Sequence, residues 1–452
     1  MLDFDNLPTP TTNALQKESL HKIVSVLPHR RKRASRSSSS VVPVPSSLEK
    51  PSTQHAHLTA TSRSSLHSRA FMAQECDRLV EVIEKVGARG ISLVHSRILK
   101  DSVKDGRLEC VVDSLVYQMK RGMIPVLGSV VEESEGGSLR VGKGRDAVLA
   151  VAEGFAKLAN AAAAESEVLP AKLFLLNQGN GGVFNPESGT HIALLNLTED
   201  LGPLMQSIAR QQAGLTDQCQ RTLSDLRLAK EVLASLGKLS PSSSAVLASI
   251  KDTSTGTASP LISNWITDRP MSGSKTSNSM SKSRIIPPTV LRTGLPIQTF
   301  KSLEGVDIPR LSALLESSFA KPLHKDAFFT RLSSCIDTII IAGDYQGAVL
   351  VTREGPHSIA YLDKFAVHPK SQGLGIADIL WKRLVETYPN LCWRSRSANP
   401  VNKWYFERSE GNVKFGDDGY WMMFWFGREY GIGKLKECRA VCEAIEASFG
   451  SK

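Results

Sequence analysis

The stretch FAVHPKSQGLGIADIL, residues 365–380, decides the fold of the half of the chain around it. It reads as the end of an apolar strand, a short loop with Gly373 and Gly375, and the start of a helix. Ile376, Ile379, Leu380 and Leu384 recur at helical spacing and make one apolar face. Glycines let a backbone approach an anion closely. The unpaired N–H groups of a helix's first turn then point at that anion with the positive end of the dipole. A strand, a glycine loop and a helix in this order have the layout of a pyrophosphate site.

Outward from this unit, residues 295–452 keep an α/β pattern. IPRLSALLESSF (308–319) has helical periodicity, and DTIIIAGDYQGAVLVTRE (337–354) reads as a hairpin turning on Asp-Tyr-Gln-Gly. SIAYLDKFAV (358–367) is a long strand, LCWRSR (391–396) another, and WMMFWFG (421–427) a last, aromatic one. Strand alternation puts Arg394 and Arg396 on one face, with Trp393 and Ser395 on the other. Two neighbouring guanidiniums repel unless an anion sits between them or each has its own carboxylate. With Lys364 in YLDKF, and Lys321 in SSFAKPL as an outlier, they form a cationic group. Such a group suits a small, doubly anionic acceptor and repels a protein lysine. The planar fork of arginine favours a bidentate grip on a carboxylate, so the WRSR pair is its centre.

Upstream the chain changes character twice. Residues 1–70 are rich in Ser, Pro and Arg, with a net charge of +6, and residues 251–294 carry +4. Together these segments hold the whole formal charge of +10. The parts with folding patterns are therefore neutral, which excludes a nucleic-acid surface. The 1–70 segment lacks hydrophobic period and reads as a disordered basic leader. A mitochondrial transit peptide, a plain tail and a nuclear-localisation-like cluster at Arg30–Arg33 all fit its composition. Residues 251–294 read as a linker with one apolar island, LISNWITDRP. Between them, residues 71–250 alternate helix and strand, as a largely parallel α/β layer does. QGNGG (178–182) there reads as a simple turn. The seven cysteines are an odd number without a CxxC pair, which argues for reduced thiols and against a metal site. No uninterrupted apolar run is long enough to span a bilayer.

Gln372, Gly375 and Ala377 fit the Q/R-x-x-G-x-G/A pattern of the GNAT acetyltransferases. YLDKFAV, QGLGIADILW, WRSRSANPVNKWYFERSEG and FWFG, in order over about 295–430, resemble the acetyltransferase domain of the N-acetylglutamate synthase family. LISNWITDRP and PPTVLRTGLPI resemble its fungal, mitochondrial branch, in which an amino-acid-kinase-like domain precedes the acetyltransferase domain. The resemblance implies acetyl transfer from acetyl-CoA to the α-amine of L-glutamate, without a metal, in the mitochondrial matrix. Aspartate stays open as an acceptor, because two cations do not fix chain length. A non-catalytic regulatory or scaffolding subunit is the competing class.

By the same resemblance Gln372, Gly373, Leu374, Gly375, Ile376 and Ala377 hold the CoA pyrophosphate. Phe365, Ala366 and Val367 offer backbone groups to the pantetheine and the thioester oxygen. Lys321, Lys364, Arg394, Ser395, Arg396, Ser397, Ala398 and Asn399 bind the acceptor, and Tyr361 and Asn399 assist the reacting centre. Tyr405 is a further candidate, as the acid for the departing thiolate. In an ideal strand Tyr361 and Lys364 face opposite sides, so a shared site requires a β-bulge between them. Residues 71–250 resemble part of the kinase-like domain, lacking its first strand, with a sheet edge left open. In this family that domain serves arginine feedback and oligomerisation, so no kinase activity is expected. Arginine as an effector, a complex with acetylglutamate kinase and a homo-oligomer belong to the same set of expectations.

Overall fold

The structure, a computed structural model, describes residues 22–26, 53–102, 106–161, 172–177, 181–187, 189–210, 217–238, 240–249 and 287–450. The chain divides into two compact units, residues 1–182 with 216–261, and residues 183–215 with 262–452. LISNWITDRP and Gln178–Asn180 lie outside the described residues.

In the first unit a 33-residue helix, Thr53–Lys85, precedes the parallel pair Arg89–Ser92 and Met123–Val126. A small four-stranded sheet follows, and the helix Gly144–Ala161 packs Ala150 and Phe155 into a core with Leu115 and Val131. Lys172–Asn177 is flanked by two parallel strands, Ser244–Ser249 and Lys22–Val26. Within the segment read as a leader, the structure describes the strand Lys22–Val26 and the start of the Thr53 helix. That strand is the end strand of its sheet. KIVSV is a short β-prone run without periodic neighbours, and its register is set by a partner far along the chain. The run MIPVLGSVV (123–131) forms two strands broken around Gly128. A Cβ there would lie 2.7 Å from Met72 Cγ, so the backbone passes close against the long helix.

In the second unit Leu194–Asn196 pairs in parallel with Thr289–Arg292. The stretch read as a linker to residue 294 is therefore a strand at its end. Its apolar residues Val290 and Leu291 are fully buried.

The C-terminal domain of this unit is built on seven strands: β1 (Ile297–Phe300), β2 (Ile336–Ala342), β3 (Gly347–Glu354), β4 (Ile359–Val367), β5 (Leu391–Arg396), β6 (Gly411–Phe415) and β7 (Trp421–Phe426). Their order is β1-β2-β3-β4-β5-β7-β6. Neighbours are antiparallel except β4 and β5, which run parallel and register at one pair, Tyr361 opposite Cys392. Beyond that pair the two central strands part.

Helix α1 (Ile308–Phe319) begins where Asp307 accepts the Arg310 N–H and stops at left-handed Ala320. Helix α2 is Lys325–Cys335, α3 Ile376–Thr387, α4 Asn402–Phe406 and α5 Ile432–Ala444. One sheet face buries Val349, Leu362, Trp393 and Phe424 against Ile376, Leu380 and Leu384 of α3. The other buries Ile339, Leu350 and Ala366 against Leu311 and Leu315 of α1 and Phe328 and Leu332 of α2. Beside it, α5 covers Tyr361, Cys392 and Met423 with Cys438 and Cys442. The two cysteines thus share a buried helix face, as their spacing predicts.

Candidate active site

The site grows out of the parting of β4 and β5. Along β3 and β4, Leu350 opposes Lys364 while Val351 opposes Leu362, so Asp363 is the extra residue of a β-bulge. The bulge turns Lys364 to the face already taken by Tyr361, as a shared site requires. The Asp363 side chain is fully buried and ion-paired to Lys364 and to Arg331, and Arg331 also reaches Glu354 at 2.7 Å. Burial works to raise the Asp363 pKa, but Lys364 and Arg331 outweigh it and hold the carboxyl below the usual range. All three ammonium donors of Lys364 are engaged, by Asp363 Oδ1, by Asp363 O at 3.2 Å and by Ser448 Oγ at 3.1 Å.

Arg394 shares the charge environment of both Lys364 and Tyr361. Its fork donates to the carbonyls of Cys442, Ile445 and Glu446 at the end of α5, and it lies 4.3 Å from the Trp421 ring centre. Most of its donors thus close a helix terminus. Arg396, at the end of the same strand face, lies 5.6 Å over the Tyr420 ring and forms no ion pair among the described residues. Lys321, half-buried just after α1, likewise forms none among them. After β5 the chain turns tightly, with the Asn399 N–H donating to Arg396 O at 2.9 Å. The Asn399 amide donates to Ser395 Oγ at 2.9 Å, and its oxygen accepts the Val401 N–H. Ser397 is held by Gly419 and Tyr420, and Ala398 is exposed at the apex.

Tyr361 and Tyr405 lie on opposite faces of the sheet. Tyr361 is buried beside Cys392, Met423 and Cys442, and Tyr405 beneath Trp393, Trp404 and Phe424. Burial raises the pKa of both phenols. Beyond Tyr361 the register between β4 and β5 ends. The His368 N–H bonds to Gln346 O at 2.9 Å, which fixes the ladder phase between β3 and β4. Val349 opposes Phe365 three positions back, so the Phe365 N–H and C=O turn away from β3 and into the gap. The Val367 N–H points the same way but is taken by Ser318 Oγ at 3.3 Å. The Phe365 ring packs with Trp381 and Trp404 on the α3 side.

Below the gap lies the glycine loop. Gly373 and Gly375 have φ of +82° and +76°, conformations that side chains resist. A Cβ on Gly375 would fall 2.5 Å from Arg292 Nε, and Arg292 Nη1 donates to Leu374 O at 3.4 Å. No side chain caps α3, so its first-turn N–H groups stay open to an anion. Asp378 in that turn would repel an anion, but it is paired with buried Arg408, whose guanidinium stacks 4.0 Å from the Trp404 ring centre. Nothing in the sequence pattern marks Arg292, Arg408 or Arg331 as part of the site. Asp363 did carry a signal, as a carboxylate inside an otherwise apolar strand.

Residues 298–448 match the family described as NAT, N-acetyltransferase, of N-acetylglutamate synthase. The C-terminal domain is similar to this N-acetyltransferase family over those residues. The chain is 34% identical over 417 residues to the mitochondrial amino-acid acetyltransferase of Coprinopsis cinerea, covering 80% of this chain and 65% of that one. It is 38% identical over 304 residues to that of Laccaria bicolor, covering 61% and 52%. The chain therefore spans between about half and two thirds of the length of these relatives. Among solved structures it resembles an N-acetylglutamate synthase from Neisseria gonorrhoeae complexed with coenzyme A and N-acetyl-glutamate, at 15% identity and a TM-score of 0.42, covering 81% and 76%. In the N-acetyltransferase domain itself, the glycine loop and the parted strands fall within the matched residues.

Proposed function

We propose that the chain is an amino-acid N-acetyltransferase that moves acetyl from acetyl-CoA to the α-amine of L-glutamate, giving N-acetyl-L-glutamate and CoA. One observation carries this reading: the family match over 298–448 coincides with parted central strands above an uncapped, glycine-led helix. Acetyl-CoA supplies an activated acyl group as its thioester.

The loop Gln372–Ala377 and the first turn of α3 bind the pyrophosphate through backbone N–H groups. The Phe365 N–H, turned into the gap, stabilises negative charge on the acyl oxygen as the amine nitrogen attacks the carbonyl carbon. As the carbon–sulfur bond breaks, the sulfur takes one proton and the amine loses one. In this reading Tyr405, kept protonated by burial, gives the sulfur its proton, and the amine releases its own to solvent, from which the phenol is reprotonated. Arg396 and Lys321 take the carboxylates of the acceptor. Lys364 and Arg394 hold the frame through Asp363 and the end of α5. The mitochondrial names of the relatives support a mitochondrial matrix location for this chain as well. Arginine as an effector, a partner kinase and self-association stay part of the proposal.

The purified full chain, incubated with acetyl-CoA and either L- or D-glutamate, tests the reading by mass spectrometry of the product. N-acetylation of the L-isomer at the α-amine is expected. Acetylated D-glutamate in equal amount, or no acetylated glutamate, would overturn it.

A further inference from the structure

The residues just after α5 meet Arg394 and Lys364, the two cations that hold the frame, and reach the loop of Lys321, which takes an acceptor carboxylate. The Ile445 and Glu446 carbonyls accept from Arg394, and the Ser448 hydroxyl accepts from Lys364 at 3.1 Å. The Phe449 ring lies 5.7 Å from the Lys364 ammonium and 4.6 Å from the Phe319 ring, at the end of the helix that leads into Lys321. The same segment is stitched to the Lys321 loop by backbone. The His324 N–H donates to Ser448 O at 3.0 Å, the Gly450 N–H donates to Pro322 O at 3.1 Å, and Leu323 bridges Phe449. These contacts come from separate elements, α1, β4 and β5, and converge on six residues.

We propose that Ile445–Gly450 is a strap that forms the outer wall of the acceptor site, with Ser448 and Phe449 as positioning residues for Lys364 and the Lys321 loop. The proposal rests on the acetyltransferase reading and deepens it. Ser448 takes the third donor of Lys364 and so fixes the direction of its ammonium. Phe449, seated on Phe319, fixes the spacing between the Lys321 loop and β4.

The test uses the full chain with Ser448→Ala, Ser448→Thr and Phe449→Ala, following CoA release over ranges of L-glutamate and of acetyl-CoA. Ser448→Ala and Phe449→Ala should each raise the glutamate KM about tenfold. The acetyl-CoA KM and the calorimetric affinity for CoA should stay within about twofold, and Ser448→Thr should restore the glutamate KM. An unchanged or lower glutamate KM in Ser448→Ala and Phe449→Ala would overturn the proposal, the lower value meaning that the segment blocks the site. A parallel rise in both KM values would overturn it as well, in favour of a structural role. If the unsubstituted chain releases no CoA with any amino acid, the acetyltransferase reading itself fails and the strap falls with it. Turnover by the unsubstituted chain separates the two failures.

Discussion

Arg394 and Arg396 carry the same charge two residues apart and meet different partners. The strand period makes their shared face legible from the sequence. What each guanidinium meets was not legible, because the partners of Arg394 are carbonyls at residues 442–446 that no local pattern ties to β5. Arg394→Ala leaves those carbonyls without their charged donor and should destabilise the domain by about 3 kcal/mol. Arg396→Ala should change stability by no more than about 0.5 kcal/mol, yet raise the glutamate KM about tenfold. Thermal melting of the full chain, read beside steady-state CoA release, separates the two. Equal loss of stability in both variants would contradict the assignment. Asp363 shows the same limit of the sequence. The charge was visible, but its burial between Lys364 and Arg331 depends on a bulge whose register only the opposing strand fixes.

At the scale of elements, the strand, glycine loop and helix over 365–387 were legible because three local signals agree: an apolar run, paired glycines and a 3.6-residue period. The weaker elements were not. Helix α2 sets Phe328 beside Phe329 and buries only Phe328 and Leu332, so its period is faint. Strand β6 exposes three of its five residues and is held by pairing with β7. The loop makes a graded prediction. Gly373 needs its positive φ, but a Cβ there meets nothing within 4 Å, whereas Gly375 adds a clash with Arg292 to the same strain. Gly375→Ala should therefore raise the acetyl-CoA KM by tenfold or more and Gly373→Ala by roughly fivefold, since left-handed strain alone is worth about 1 kcal/mol. The glutamate KM should move less in both. Acetyl-CoA titrations of the two variants check the order, and a larger effect at Gly373 would contradict it.

At the scale of the whole chain, the basic segments and the two α/β patterns were legible from composition and period. Their edges were not, because the strands Lys22–Val26 and Thr289–Arg292 exist through partners distant in sequence. The first unit carries a prediction of its own. Burial raises the pKa of Asp225 to about 6, against the lowering effect of Arg145 and Arg221. The folded pKa lies above the ordinary value of 3.8, so the folded form holds the proton more tightly. The stabilising contribution is present at low pH and is lost as pH rises through about 6. Asp225→Asn should match the unsubstituted chain in urea unfolding near pH 4 and exceed it near pH 7.5. A gap that does not widen with pH would contradict this.

The central claim concerns the acceptor, and steady-state CoA release by the full chain, with L-glutamate, L-aspartate, L-glutamine or no amino acid, tests it most directly. Turnover with L-glutamate well above the other three is the predicted result. Background release with all four, or aspartate turned over as well as glutamate, would contradict it.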